Sequence, residues 1–205
     1  MYTPQAFALN DEALIREIVA EHSFATLVTQ KQNGFEAVHI PLIWEKRGIV
    51  GHVARANNFF RDGQQALAIF AGPHAYVSPS WYDSGPAVPT WNYLAVHISG
   101  TLHEERGEDV GVQLASLVRK YEQNAATYNF AALPADYSEK MQKGIRAFRL
   151  EITRVEAKAK LSQNHSPERI HRVIERLEAS PDQNARDLAR YMRRLSLDAP
   201  AGAAG

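Results

Sequence analysis

The sequence has no cysteine, which excludes disulfides, thiolate metal sites and cysteine nucleophiles. It has no excess of charge: lysine plus arginine number 23 and aspartate plus glutamate also 23. A dedicated nucleic-acid binder would carry a basic surplus, so only a local basic face remains open to DNA. No apolar run reaches the length of a membrane span. The opening MYTPQAFALNDEALI lacks the basic and apolar regions of a signal peptide, so the expectation is a cytoplasmic protein with no membrane association. The glycine loops that cradle phosphates, G-x-G-x-x-G and the Walker type, are missing, as is the G-x-S-x-G elbow of a serine nucleophile. The eight histidines form no His-Glu-x-x-His pair, so no metal site is expected, and no catalytic residue stands out.

Tryptophan is scarce, and its distribution is uneven. Two of the three tryptophans, Trp81 and Trp91, fall within YVSPSWYDSGPAVPTWNY, residues 76–93, with Pro79, Pro86 and Pro89. Three prolines exclude an ordinary helix here, and the aromatic content excludes a flexible linker. A stiff aromatic loop suits a flat conjugated ligand or a subunit interface, and one surface can serve both.

Asn10 or Asp11 can cap a helix whose Leu14, Ile15, Ile18 and Val19 share a face. FATLVT (24–29), the Asn33-Gly34 turn and EAVHIPLIW (36–44) read as a hairpin, with Pro41 marking an edge or bulge. IVGHV (49–53) and LAIFAG (67–72) are further strands, and RANNFFRDGQQ between them is a short helix or turn. In NYLAVHISGTLH the residues Leu94, Val96, Ile98 and Leu102 face one way, and Tyr93, His97, Ser99, Thr101 and His103 the other. Helices follow over 108–122 and near 136–145, then the strand FRLEITRVEA. Ser166-Pro167 and Ser180-Pro181 each announce a helix start. The pattern is α+β: about six antiparallel strands closing as a small barrel, with peripheral helices and a C-terminal helical pair. The division expected is a domain over 1–165, a helical pair over 166–198 packed on it, and a flexible tail over 199–205.

Two polar clusters are candidates for binding. GHVARANNFF (51–60) runs a strand with His52 into Arg55 and Asn57; a helix start there would offer free N–H groups beside a guanidinium, an anion site. KAKLSQN (158–164) offers Lys160 as a point charge and Gln163 and Asn164 as donor–acceptor groups. Either cluster reads equally as an ordinary connection.

Taken together, MYTP-x-x-F, ATLVT, HIPL, GHVARAN, GPHAYVSPSWY, VPTWNY, VHISG and KLSQN, in order from residue 1 to about 165, resemble the PaiB family, FMN-binding negative transcriptional regulators. The resemblance implies an FMN-binding split barrel related to flavin reductases and pyridoxamine-phosphate oxidases, in a homodimer with FMN at the interface. It implies His52, Arg55 and Asn57 near the phosphate, Ala25 and Thr26 along the flavin, and Ser78, Trp81, Trp91 and Asn92 beside the ring. Lys160, Ser162 and Gln163 would close the site. Where the family often carries proline after RAN, this chain has Asn58. Two other functions stay open at this point, a flavin-dependent oxidoreductase and a haem-binding or haem-degrading protein. If DNA is touched, Arg186, Arg190, Arg193 and Arg194 are the candidate contacts, against the plainer alternative of a solvated helix face. Neither a target gene nor a substrate or electron donor can be read from the residues.

Overall fold

The structure is a computed structural model that describes residues 1–82, 86–122 and 128–197; the tail expected over 199–205 lies outside them. Asn33-Gly34 turns the first hairpin, joining β1 (Phe24–Lys31) to β2 (Gly34–Pro41), with Phe24 opposite Pro41 and Lys31 opposite Gly34. The run expected to continue through Trp44 breaks at Leu42, whose N–H donates to the Ser23 carbonyl at 2.8 Å while its side chain is fully buried. The remainder pairs separately, as β3 (Ile43–Glu45) with β4 (Gly48–Ala54). That break makes seven strands among the described residues instead of six. The others are β5 (Gln64–Val77), β6 (Thr90–Glu104) and β7 (Ile145–Lys160), in the sheet order β2-β1-β5-β6-β7-β4-β3. β1 pairs antiparallel with β2 and β5, and β4 with β3 and β7. Pro41 closes β2 at the sheet edge, as its missing N–H requires. Pro73 is tolerated inside β5 because β1 pairs with that strand only over residues 66–69.

Five α-helices accompany the strands among the described residues: α1 (Glu12–Glu21), α2 (Glu108–Tyr121), α3 (Ala135–Lys143), α4 (Pro167–Glu178) and α5 (Gln183–Leu197). Asp11 caps α1, its carboxylate accepting from the N–H groups of Ala13 and Leu14 at 2.9 and 3.2 Å. Pro167 opens α4 as expected. Ser180-Pro181 does not open α5: it forms the turn before it, and Asp182 takes the capping role by accepting from the Asn184 N–H at 3.0 Å. An acceptor one residue past the proline lies nearer the first free N–H groups of that helix.

The chain divides into two compact units. One comprises residues 1–15, 71–96 and 156 onward. Its core includes Val77, Leu94, Leu161 and the facing stripes of the helical pair, Val173, Ile174 and Leu177 against Leu188, Tyr191 and Met192, all buried. The other comprises 16–70 and 97–155, cored by Leu27, Ile49, Phe60, Phe70, Ile98, Phe148 and Leu150. The alternation expected for β6 holds: Leu94, Val96, Ile98 and Leu102 are buried and their neighbours are not. Two glycines let strands press on β7. A Cβ on Gly100 would stand 2.1 Å from the Glu151 carbonyl oxygen, and one on Gly48, at φ +135°, 2.3 Å from that of Leu150.

Candidate flavin site

In the unit of residues 16–70 and 97–155, β4 delivers His52, half-buried opposite Ala147. Burial lowers the pKa of its imidazole from the ordinary 6.5, since a charge is harder to hold out of water. Beyond Ala54 the chain turns, with the Asn57 N–H on the Ala54 carbonyl at 2.8 Å, but no helix follows. The expected helix-start anion site is therefore absent as such. Phe59 and Phe60 are buried in the core, and the segment is held extended by Thr29 Oγ1 donating to the Phe59 carbonyl (3.2 Å) and Lys31 Nζ to that of Asn58 (2.6 Å). The Arg55 N–H is spent on the Gly144 carbonyl.

The Arg55 guanidinium caps the end of α3, Nε donating to the Lys143 carbonyl and Nη2 to that of Ile145, both at 2.6 Å. A cation suits the negative end of a helix dipole, and this grip holds the planar group in one orientation. Among the described residues its Nη1 makes no hydrogen bond, although the guanidinium charge also acts on the Glu104 carboxylate; one edge can still donate to an anion. Ala25 and Thr26 are successive residues of β1 and so point to opposite faces. Ala25 is buried; Thr26 is half-buried, its Oγ1 3.0 Å from Nδ1 of His39. Only one of the two side chains can face a given ligand.

In the unit of residues 1–15, 71–96 and 156 onward, four of the expected residues come together. Asn92 is fully enclosed at 0% exposure, and its Nδ2 donates to Ser162 Oγ at 2.9 Å, with Met192 Sδ at 3.7 Å. Ser162 sits at φ 67°, a left-handed conformation that costs energy in a residue with a Cβ. The Asn92 bond holds it, and so does Gln163, whose side chain folds back to accept from the Leu161 N–H at 2.7 Å and donate to the Ala159 carbonyl. The Lys160 ammonium rests on Thr90 Oγ1. Much of KLSQN is thus spent on its own loop, leaving the remaining protons of Lys160 for an anion.

The aromatic loop is shorter than its sequence implied, because β5 runs to Val77 and β6 starts at Thr90. Pro79–Trp81 form one tight 3₁₀ turn, with Ser78 Oγ accepting from the Ser80 N–H at 3.2 Å. Trp81 is half-buried, whereas Trp91 is 53% exposed with Tyr76 edge-on at 6.2 Å and His74 at 6.1 Å. One grouping escaped the sequence reading: Tyr82 stacks on His165 at 4.8 Å with the Arg169 guanidinium 5.4 Å over its ring. Tyr82 lies far in the chain from His165 and Arg169, so no local signal marks the grouping.

The donors present fit FMN. Each unit by itself offers matching groups: the Arg55 guanidinium edge of the one suits a phosphate, and the Lys160 ammonium and exposed Trp91 indole of the other suit an anion and a flat ring. The Asn92 Oδ1 and the Tyr82 hydroxyl are buried with no partner among the described residues, so polar capacity remains in the unit of residues 1–15, 71–96 and 156 onward.

The family model described as "Putative FMN-binding domain" matches residues 1–154. The chain belongs to this family. Its cofactor is accordingly FMN. The family is also the one its motifs resemble: the chain is 35% identical over 200 residues, 94% of its length, to "Protease synthase and sporulation protein PAI 2" of Bacillus subtilis, covering 96% of that protein. A protein of Aspergillus fumigatus, AFUA_5G13800, is 31% identical over 48% of this chain and 46% of its own. Among solved structures, the FAD and heme binding protein of Mycobacterium smegmatis is similar with TM-score 0.62 at 14% identity, over 80% of this chain and 78% of that one. The flavocytochrome Anf3 of Azotobacter vinelandii is similar with TM-score 0.58 at 13% identity, over 80% and 75%. At such identities the likeness is one of fold, and the fold is the α+β split barrel.

Proposed function

We propose that this protein is an FMN-binding negative regulator of transcription, cytoplasmic, acting as a homodimer with FMN at the subunit interface. The observation that carries the reading is the near full-length relationship to the sporulation protein of Bacillus subtilis. In the unit of residues 16–70 and 97–155, Arg55 with His52 and Asn57 is assigned to the phosphate and Thr26 to the ring; in the other unit, Trp81 and Trp91 are assigned to a ring face and Lys160 to an anionic contact. Asn92, Ser162, Gln163 and Ser78 position the loops that present these groups, since their own hydrogen bonds are local. Bound FMN would supply a redox-active ring; the chain's residues hold it and shield it from water. Tyr76, Val88 and Trp91, exposed by 45, 76 and 53%, offer an aromatic face for the partner subunit.

Contact with DNA through α5 has less support. Arg193 makes a paired bond to Glu178 at 2.8 and 2.9 Å, Arg186 donates to the Ser180 carbonyl and Gln183, and Arg190 lies over Tyr191. The test is a gel shift of the FMN-loaded protein on DNA upstream of its own gene across a salt series. A regulator retards that DNA with an affinity that falls steeply with salt; no retardation at any salt refutes direct regulation. The second reading, a flavin-dependent oxidoreductase, is favoured by the shared fold with a flavocytochrome. It predicts that bound flavin is reduced by a nicotinamide donor and reoxidised with turnover. An absorption spectrum showing a haem band in place of flavin bands would remove both readings.

A further inference from the structure

Away from the residues assigned to FMN, the unit of residues 16–70 and 97–155 contains a two-part cleft between α1, α2 and β3. The inner part, about 220 Å³, has Val19, Leu42, Ile43 and Trp44 as walls and Arg16 and Lys120 as its charged lining. Arg16 and Trp44 also border an outer part of about 780 Å³, which adds Lys46, Arg47, Arg119 and Glu45, with Arg47 paired to Asp109 at 4.0 Å. An apolar chamber beneath a rim of cations is amphipathic by construction. Two features make it a built arrangement rather than a surface dent. The Arg16 guanidinium lies 4.2 Å from the centre of the Trp44 ring, which fixes both at the boundary between the two parts. Lys120 reaches across from α2 and donates to the Ala20 carbonyl at 2.6 Å, in the last turn of α1. That contact uses one ammonium proton. Burial lowers the Lys120 pKa, and among the described residues no carboxylate offsets it, so the group stands in partly dry surroundings without a counter-charge there.

We infer that this cleft binds a small amphipathic organic anion, an aryl or branched-alkyl carboxylate. Its apolar body lies between Trp44, Ile43 and Leu42, and its carboxylate meets Lys120 and Arg16. The anion would bring the missing counter-charge and the body would displace water from an apolar chamber. The inference does not depend on the flavin reading.

The experiment is a calorimetric titration of the FMN-saturated protein with naphthoate and, separately, with uncharged naphthamide. Naphthoate should bind saturably at one site per chain without displacing FMN, and more tightly than naphthamide. Lys120→Met should weaken naphthoate by at least about tenfold, the loss of one charged hydrogen bond, while leaving naphthamide unchanged. Ile43→Trp, which fills the inner part from a half-buried position, should abolish both while the flavin spectrum persists. It stands as the test if Lys120→Met does not fold. The inference is overturned by no saturable binding, by competition with FMN, or by naphthoate affinity that neither substitution changes.

Discussion

Arg55 and Asn92 show how differently two residues of one expected site can be used. Arg55 is exposed, with Nε and Nη2 tied to the end of α3 and Nη1 in no hydrogen bond among the described residues. Arg55→Ala should therefore weaken FMN binding by about 1–3 kcal/mol, the range of a charged hydrogen bond, measurable by calorimetric titration. Unchanged affinity would remove Arg55 from the phosphate and leave it a helix-end clamp. Asn92 is enclosed, and its amide already serves Ser162. Asn92→Ala strips a buried hydroxyl of its donor and should cost about 1–3 kcal/mol of stability, seen as a lower urea midpoint. His52, with its lowered pKa, gives a third signature. Because its folded pKa lies below the ordinary 6.5, it costs nothing at neutral pH. It destabilises the fold as pH drops below 6.5, where the unfolded chain takes up the proton more readily. His52→Gln should flatten that limb of the stability profile. Glu104, held low chiefly by its hydrogen bond from Arg146, loses its contribution further down, as pH falls through the carboxylate range below 4.5.

Among the elements, the two C-terminal helices separate what sequence can and cannot show. Both were legible as amphipathic stripes, because the helical period is local. The start of α5 was not, since Ser-Pro and the following aspartate compete for one role and geometry decides between them. Asp182→Ala should cost about 0.5–2 kcal/mol as the loss of a cap, and Ser180→Ala clearly less. Equal losses in thermal melts would restore Ser180 to the capping position. The same distinction runs through the strands. Alternation in β6 and the Asn-Gly hairpin were readable, whereas the break at Leu42 depends on the Ser23 carbonyl. The extended path after Asn57 depends on Thr29 and Lys31. Of the candidate site, the residue types were legible from motif. Which side chains face outward and which are consumed by their own loops was not, because partners such as Lys143 for Arg55 are distant in sequence.

For the molecule as a whole, the proposed homodimer predicts that light scattering at micromolar concentration, with and without FMN, gives twice the 22.9 kDa chain mass; a monomer in both would refute it. One feature of the sheet bears on how this gene can change. Gly48 and Gly100 each lie so close to a β7 carbonyl that any added carbon would collide with backbone, which cannot swing aside as a side-chain tip can. Every missense codon one base away from a glycine codon specifies a residue with that carbon. Random mutagenesis followed by selection for soluble protein should therefore recover no missense replacement at either codon, while synonymous changes there persist. Gly63, where nothing lies within 4 Å of such an atom, should accept Asp or Asn, which tolerate its left-handed backbone.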